Sequence, residues 1–423
     1  MGVAMDALSS FSTDLGLGVL ATSLMPFCLM PPLHHHIRSV AKPLVSRRVA
    51  ETAGFVSQVQ ELNSPKLSSL ISLCNSTVST EFYVVLLSLL AWTGNMVLAG
   101  RVGYLISLSL YFGNAMKDMV GAPRPFAIPA SATKPRVKFQ GAEGEIGHVV
   151  EHGLPSSHVM NSLTLVLYML HTGLEAGTLN SEKKLGMYLV GLLWVAWIGW
   201  GRLYCGMHSL LDLISGWFNA ILVYRVFVHG EPILVSLFHS GMDGLVRQLI
   251  VAMLLLSVYP KPERYTPSYE YAVTIFGGVW GMMCGRYCLE RWMVGGAEIN
   301  SGFAGYRWDS WGVDDFFTIG CRAVVGFAMM GVVKVATKPA LKYLFSWVFR
   351  LFPVGVRGLW QPPIGVRYET NCSSNGSKET KLLKATDGTY WDVDISTRFV
   401  SYALVGGCCG FGCWLAFDAL GLK

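Results

Sequence analysis

Apolar stretches on the scale of a bilayer crossing recur almost from one end of this chain to the other, and that recurrence limits its fold more than any single motif. Windows that read as membrane helices run over 83–100, 102–119, 157–174, 187–204, 208–228, 246–259, 271–290, 316–337 and 398–421. Two further stretches, 15–31 and 340–353, qualify less cleanly: the first is short and contains Pro26, the second carries Lys342 and Arg350. The expected fold is all-α, a polytopic helical membrane protein with nine to eleven transmembrane helices. Composition agrees, because 52% of the 423 residues are hydrophobic and only 14% are charged, against roughly 25% in soluble domains.

The same patterning sets the organisation. Residues 1–78 form an N-terminal region with a candidate first membrane helix at 15–31, and 79–354 hold the membrane core and the helices that follow it. Residues 355–397 are a polar extramembrane insert, and 398–423 carry the C-terminal membrane helix. Between 120 and 156 the chain turns polar, with Pro123, Pro125, Pro129 and Pro135 marking a loop hung between two spans. The net charge of +6 comes from Lys and Arg scattered between apolar windows, which disfavours nucleic-acid binding. Cys284, Cys288, Cys321, Cys408, Cys409 and Cys413 fall inside apolar windows and read as small packing residues; a structural zinc site has little support. No basic region precedes the first apolar stretch, so a removable signal peptide is not expected.

Three polar clusters stand at the ends of successive windows. Lys117 closes one helix and is followed by Arg124-Pro125; Pro155-Ser156-Ser157-His158 opens the next; Arg202 closes the one after; His208 and Asp212 open the following one. Consecutive crossings alternate in direction, so all of these ends face one membrane surface. Together they supply what an in-line phosphoryl transfer needs. A phosphomonoester carries about −1.5 to −2 charge near neutrality, which Lys117, Arg124 and Arg202 would cradle, the arginines by bidentate forks. Ser156 and Ser157, at a helix start, offer backbone N–H groups and hydroxyls to the phosphate oxygens.

His208 and Asp212 are four apart, neighbours on one helical face, so the carboxylate can orient the imidazole as a nucleophile. His158, on another helix, is the expected general acid for the leaving alkoxide and then the base for water. Taken singly, a lysine or arginine at a helix end is most often a snorkelling side chain, and a Pro-Ser-Ser only a cap. The ordered set, Lys-x6-Arg-Pro, Pro-Ser-x-His and Arg-x5-His-x3-Asp, is far more specific than its parts.

The segments KDMVGAPRP (117–125), PSSH (155–158) and RLYCGMHSLLD (202–212) resemble the three signatures of the type-2 phosphatidic acid phosphatase superfamily. That resemblance implies a six-helix membrane phosphatase core and a phosphohistidine mechanism with no metal, nucleotide or other cofactor. It implies phosphate binding by Lys117, Arg124, Ser156, Ser157 and Arg202, with His158 as acid, His208 as nucleophile and Asp212 as its orienter. Ser157 and Gly201 depart from the broad signature, which has Gly and Ser there, without removing a catalytic side chain. The runs GLPSSH (153–158), GRLYCGMHSLLDLISG (201–216) and YPKPERYTPSYEY (259–271) are similar to the sphingosine-1-phosphate and plant long-chain base 1-phosphate phosphatase branch. This implies sphingoid base phosphates as substrates and residence in the endoplasmic reticulum.

The substrate would be a lipid phosphate reaching the site from the bilayer, with Tyr269 and Glu270 as candidate contacts to its headgroup. The catalytic face is expected to be luminal if 15–31 spans the membrane, and Asn75-Ser76-Thr77 would then be a luminal glycosylation acceptor. Asn371 and Asn375 are further candidate acceptors, and the oligomeric state is left open. Two rival readings differ in class. One is a broader lipid phosphate or polyprenyl diphosphate phosphatase; the other is a lipid transporter whose polar residues line a path, which would place them near mid-span instead of at one rim.

Overall fold

A computed structural model describes residues 2–62, 64–128, 137–140, 151–175, 181–238, 241–293, 313–349, 351 and 391–422. Among these residues the only regular secondary structure is helical. Six helical stretches are long and apolar enough to cross a bilayer, or seven if the pair 65–76 and 80–92, bent by 50°, counts as one span. The helices are α1 (Gly2–Ser23), α2 (Pro31–Gln60), α3 (Pro65–Ser76), α4 (Thr80–Trp92), α5 (Met96–Val120), α6 (Ser157–Glu175) and α7 (Ser181–Tyr204). They continue as α8 (Leu210–Phe238), α9 (Gly241–Ser257), α10 (Ser268–Met293), α11 (Val313–Val348), α12 (Trp391–Gly407) and α13 (Cys413–Ala419), the last two joined by a π-helical turn.

Some boundaries differ from the hydropathy windows for identifiable reasons. The windows 83–100 and 102–119 are cut elsewhere: the chain breaks at Gly94, whose φ of +87° suits glycine, and then runs as one helix from Met96 to Val120. The stretch at 340–353 is no separate element up to Val348 but the end of the 36-residue α11, which continues through Pro339. Residues 355–390 of the expected polar insert lie outside the described residues, as do Asn371 and Asn375; its last seven residues begin α12.

The helices group into two compact units that interleave along the chain. The first comprises 1–82, 108–229 and 258–269. Here α2, too rich in Arg and Lys to qualify as a span, ties other elements together. Its Arg48 pairs with Asp14 of α1 at 2.6 Å, and Asp14 is fully buried. Its Arg38 donates to the main-chain oxygens of Asp118, Met119 and Lys261 at 2.6, 3.1 and 2.6 Å, satisfying carbonyls at the C-terminus of α5. The Asp118 carboxylate accepts hydrogen bonds from Tyr259 and Thr266, both at 2.9 Å. At the end of α2, the Gln60 amide donates to Lys138 O and Tyr204 O at 2.6 and 3.1 Å, clamping the 137–140 strip against the end of α7. That close approach requires glycine at 206: its φ is +70°, and a Cβ would lie 2.4 Å from Lys138 O.

The second unit comprises 83–107, 230–257 and 270–423. It is held by close backbone approach. A Cβ on Gly277, Gly281 or Gly285 of α10 would sit 2.5, 1.9 or 2.6 Å from the carbonyl oxygen of Phe399, Ala403 or Gly407. This is the small-residue seam by which membrane helices gain packing that the hydrophobic effect does not supply between them. Trp92 is fully buried beside Phe327 and Phe417, and its indole N–H donates to Cys409 O at 3.2 Å. Arg322, inside an apolar window, donates to Trp92 O at 2.5 Å and Leu422 O at 2.9 Å, a helix-joining role that needs no ligand.

Candidate active site

The helix ends flagged in the sequence meet inside the first unit. Lys117, in the last turn of α5, reaches Ser157 Oγ at the start of α6 at 2.8 Å. Arg124, in the loop after α5, donates through Nη1 to Met207 O at 3.0 Å and stands 3.3 Å from His208 Nε2. The amide of Ser156 donates to the main-chain oxygen of Asp212 at 3.0 Å, stitching the start of α6 to the start of α8. Arg202, closing α7, is fully buried, and its carbonyl accepts from the amides of Met207 and His208 at 3.1 and 3.4 Å. Lys117, Arg124, Arg202, His208, Asp212, Ser156 and Ser157 are all buried, while His158 at the second position of α6 is half-buried. Positive charge taken out of water in this density is costly without an anion to hold.

Two sequence readings need correction in their geometry. Helix α8 starts at Leu210, so His208 lies ahead of it and does not share a helical face with Asp212. What brings the two together is a capping box: the Ser209 amide donates to Asp212 Oδ2 at 2.7 Å, and the Asp212 amide donates to Ser209 Oγ at 3.3 Å. Asp212 Oδ2 then stands 3.6 Å from His208 Nδ1, close enough to feel its charge but beyond hydrogen-bond length. Ser156 differs too. Its N–H is committed to Asp212, so its contribution to an anion site is the buried hydroxyl, for which no hydrogen-bond partner is found among the described residues.

The electrostatics favour an unprotonated imidazole. Burial first, and then the charges of Arg124, Arg202, Lys117 and His158, hold the His208 pKa well below its ordinary value. Because a guanidinium only donates, its approach to Nε2 puts the lone pair there and the proton on Nδ1, toward Asp212. A neutral imidazole whose Nε2 lone pair points into a cluster of three cations can attack an anionic electrophile once that electrophile takes over the Arg124 contact.

The sequence reading missed Glu151. Its Oε2 lies 2.6 Å from Lys117 Nζ and 3.4 Å from Arg124 Nη2, while its carbonyl accepts from Arg124 Nε at 3.1 Å. A carboxylate thus sits among the cations assigned to phosphate. Its neighbour His152 is buried, and burial together with Arg264, Lys42, Arg38 and Arg124 pushes its pKa down to about 3. Tyr269 and Glu270 are both buried; Tyr269 packs edge-on against Tyr259, and Glu270 is paired with Arg398 at 2.8 Å in the second unit. Asn75 is 5% exposed, and a Cβ at Gly201 would meet its Oδ1 at 3.2 Å. Buried there, its amide does not offer the surface position that an N-linked glycan needs.

Fold and site together define a helical multi-pass membrane protein whose helix ends gather three buried cations around a buried histidine. Residues 98–233, which include every group from Lys117 to Asp212, match the PAP2 superfamily. Lipid phosphate phosphatase delta of Arabidopsis thaliana is 29% identical over 379 residues, covering 87% of this chain and 87% of that protein. The dihydrosphingosine 1-phosphate phosphatase of Saccharomyces cerevisiae is 27% identical over 216 residues, 51% of each chain. Sphingosine-1-phosphate phosphatase 1 of Rattus norvegicus is 25% identical over 209 residues, 49% of this chain and 45% of its own. The match to these last two therefore spans only about half of either protein. No solved structure matches. These relatives support a membrane phosphatase in the branch that the sequence resembles.

Proposed function

We infer that this protein is a phosphomonoesterase that dephosphorylates sphingoid long-chain base 1-phosphates through a phosphohistidine, without a metal ion. The observation that carries this is the Arg124 guanidinium 3.3 Å from His208 Nε2, beside a Lys117 ammonium bound to Ser157 at 2.8 Å. Nucleophile and phosphate cradle are already adjacent. Lys117, Arg124 and Arg202 neutralise the phosphate, and Ser156 and Ser157 add hydroxyl contacts. His208 Nε2 attacks phosphorus as the bond to the alkoxide oxygen breaks, and His158 gives that oxygen a proton. Water then attacks phosphorus, His158 takes its proton, the P–N bond breaks, and inorganic phosphate leaves. Asp212, across from Nδ1, holds the imidazolium charge that develops.

The sphingoid preference rests on the relatives' printed activities and on the motif-flanking runs. The headgroup contacts proposed for Tyr269 and Glu270 rest on the sequence, not on site geometry. An endoplasmic reticulum location with a luminal catalytic face is part of the same proposal and rests on the branch resemblance, since Asn75 is buried. The decisive experiment is to trap a base-stable, acid-labile phosphoenzyme from labelled sphingoid phosphate and locate the label. Labelling at His208 is expected, and its survival in His208→Ala would overturn the mechanism. Competition between single-chain and two-chain phosphates separates the sphingoid reading from the broader lipid phosphate phosphatase that the Arabidopsis relative's name describes.

A further inference from the structure

A cavity of about 400 Å³ opens on the flank of the first unit, walled by α7 and α8, with Val159 of α6 at its back and Phe11 and Leu15 of α1 across from it. Every residue lining it is apolar. Its lining includes the chain neighbours of three site residues: Val159 follows His158, Leu203 follows Arg202, and Leu213 follows Asp212, so its near end lies within a helical turn of the site. From Leu210 it follows α8 to Ile221, about 16 Å at the rise of a helix. Val159 and Val195 at its floor are fully buried, whereas Leu15, Trp217 and Ile221 at its lip are 42%, 40% and 40% exposed. Ordinary lipid-facing surface looks different; on α11, Val332 and Val335 stand 69% and 75% exposed.

We propose that this groove binds the aliphatic chain of the substrate, a single chain held along α8 with its phosphate delivered to His208, a proposal that rests on the phosphatase reading above. If a methylene takes the ~30 Å³ of a water molecule, the cavity holds on the order of a dozen methylenes, the scale of one chain. Depth decides the polarity: the end beside the catalytic residues takes the head, and the end at Ile221 takes the tail. Because bilayer interior is as apolar as the groove, a chain gains little affinity by moving from one to the other. Its effect is therefore orientational, and it belongs in the rate at which bound phosphate reaches an attack geometry.

Gly199 provides the test. A Cβ there would lie 3.6 Å from Leu213 Cδ1 and 3.7 Å from Val159 Cγ2, ordinary contact, so alanine fits while the rest of a leucine enters the cavity. In Gly199→Leu, the ratio of kcat/KM for a long-chain sphingoid phosphate to that for a short-chain analogue should fall by roughly tenfold or more, mainly through kcat, and by less in Gly199→Ala. An unchanged ratio overturns the groove and leaves the catalytic reading standing; a parent protein that hydrolyses neither substrate overturns the phosphatase reading itself. Should Gly199→Leu fail to fold, the parent protein decides the matter with a non-hydrolysable long-chain phosphonate carrying a mid-chain diazirine. Photolabel at Ile214, Trp217 or Ile221 is expected, and label spread equally over Val332 and Val335 would mean bulk bilayer contact and overturn the proposal.

Discussion

Buried charge is concentrated at the ends of α5 to α8, whereas in the second unit it is shared out between helices. In the second, each buried ionic group described above has a structural partner: Arg322 closes two carbonyls, and Glu270 pairs with Arg398. In the first, Arg38 and Arg48 are matched in the same way, but three buried cations, two buried histidines and three buried carboxylates crowd around the ends of α5 to α8. Lys117, Arg124 and Arg202 stand beside His208 there, and Glu151 bridges the first two. Matched burial joins helices, whereas concentrated burial costs stability and is tolerated where chemistry needs it.

The largest contrast should come from His208→Ala. Loss of the proposed nucleophile is expected to cost about 10⁴-fold or more in kcat, with little change in thermal unfolding, because no helix depends on that ring. Activity within a few fold of the parent would break the comparison. Gly281→Leu in the second unit should do the reverse. A side chain placed where even a Cβ would lie 1.9 Å from Ala403 O has to push α10 and α12 apart, so folded yield in detergent should drop sharply. Whatever folds should retain the parent's pH profile.

Arg124→Ala probes the electrostatics at intermediate size. His208 must be neutral to attack, and its pKa is held well below the usual 6.5, after burial chiefly by Arg124. The acid limb of kcat/KM should therefore lie below pH 6.5 in the parent and move up toward it in the variant, alongside a roughly 10²–10³-fold loss in rate. The substrate phosphate titrates in the same region, but it does so in both proteins, so the displacement of the limb is the readout. Stability carries the matching sign. The unfolded chain takes a proton on His208 near pH 6.5 and the folded chain does not, so this histidine disfavours folding increasingly as pH falls below 6.5 and has no such effect well above it.

Helix ends carrying Lys117, His158, Arg202 and His208 were legible in the sequence because alternating spans bring such ends to one rim regardless of detail. Contacts that depend on where a helix starts were not. The i, i+4 spacing of His208 and Asp212 suggested one helical face, but Ser209 caps the helix and leaves His208 outside it. Glu151 lies in a polar, proline-broken loop whose path no periodicity describes, so its arrival between Lys117 and Arg124 is a tertiary fact. Arg38 reaches Asp118 O across 80 positions, beyond any local pattern. The glycines at 277, 281 and 285 are different: their spacing of four is written plainly in the sequence, and only the identity of the facing helix was missing.

Glu151 offers the smallest effect and the sharpest discrimination. Its carboxylate occupies the cations that the mechanism assigns to phosphate, so the two anions compete for Lys117 and Arg124. Glu151→Gln keeps the shape and a carbonyl acceptor while removing the charge. Inorganic phosphate should then inhibit more tightly, by about tenfold, or about 1.4 kcal/mol. The variant should also unfold earlier without phosphate, because two buried cations lose their counter-charge, and should gain more in Tm than the parent when phosphate is added. If phosphate instead bound more weakly to the variant, Glu151 would be a scaffold that sets the cradle's shape, and the crowding of charge at these helix ends would be structural after all, as it is in the second unit.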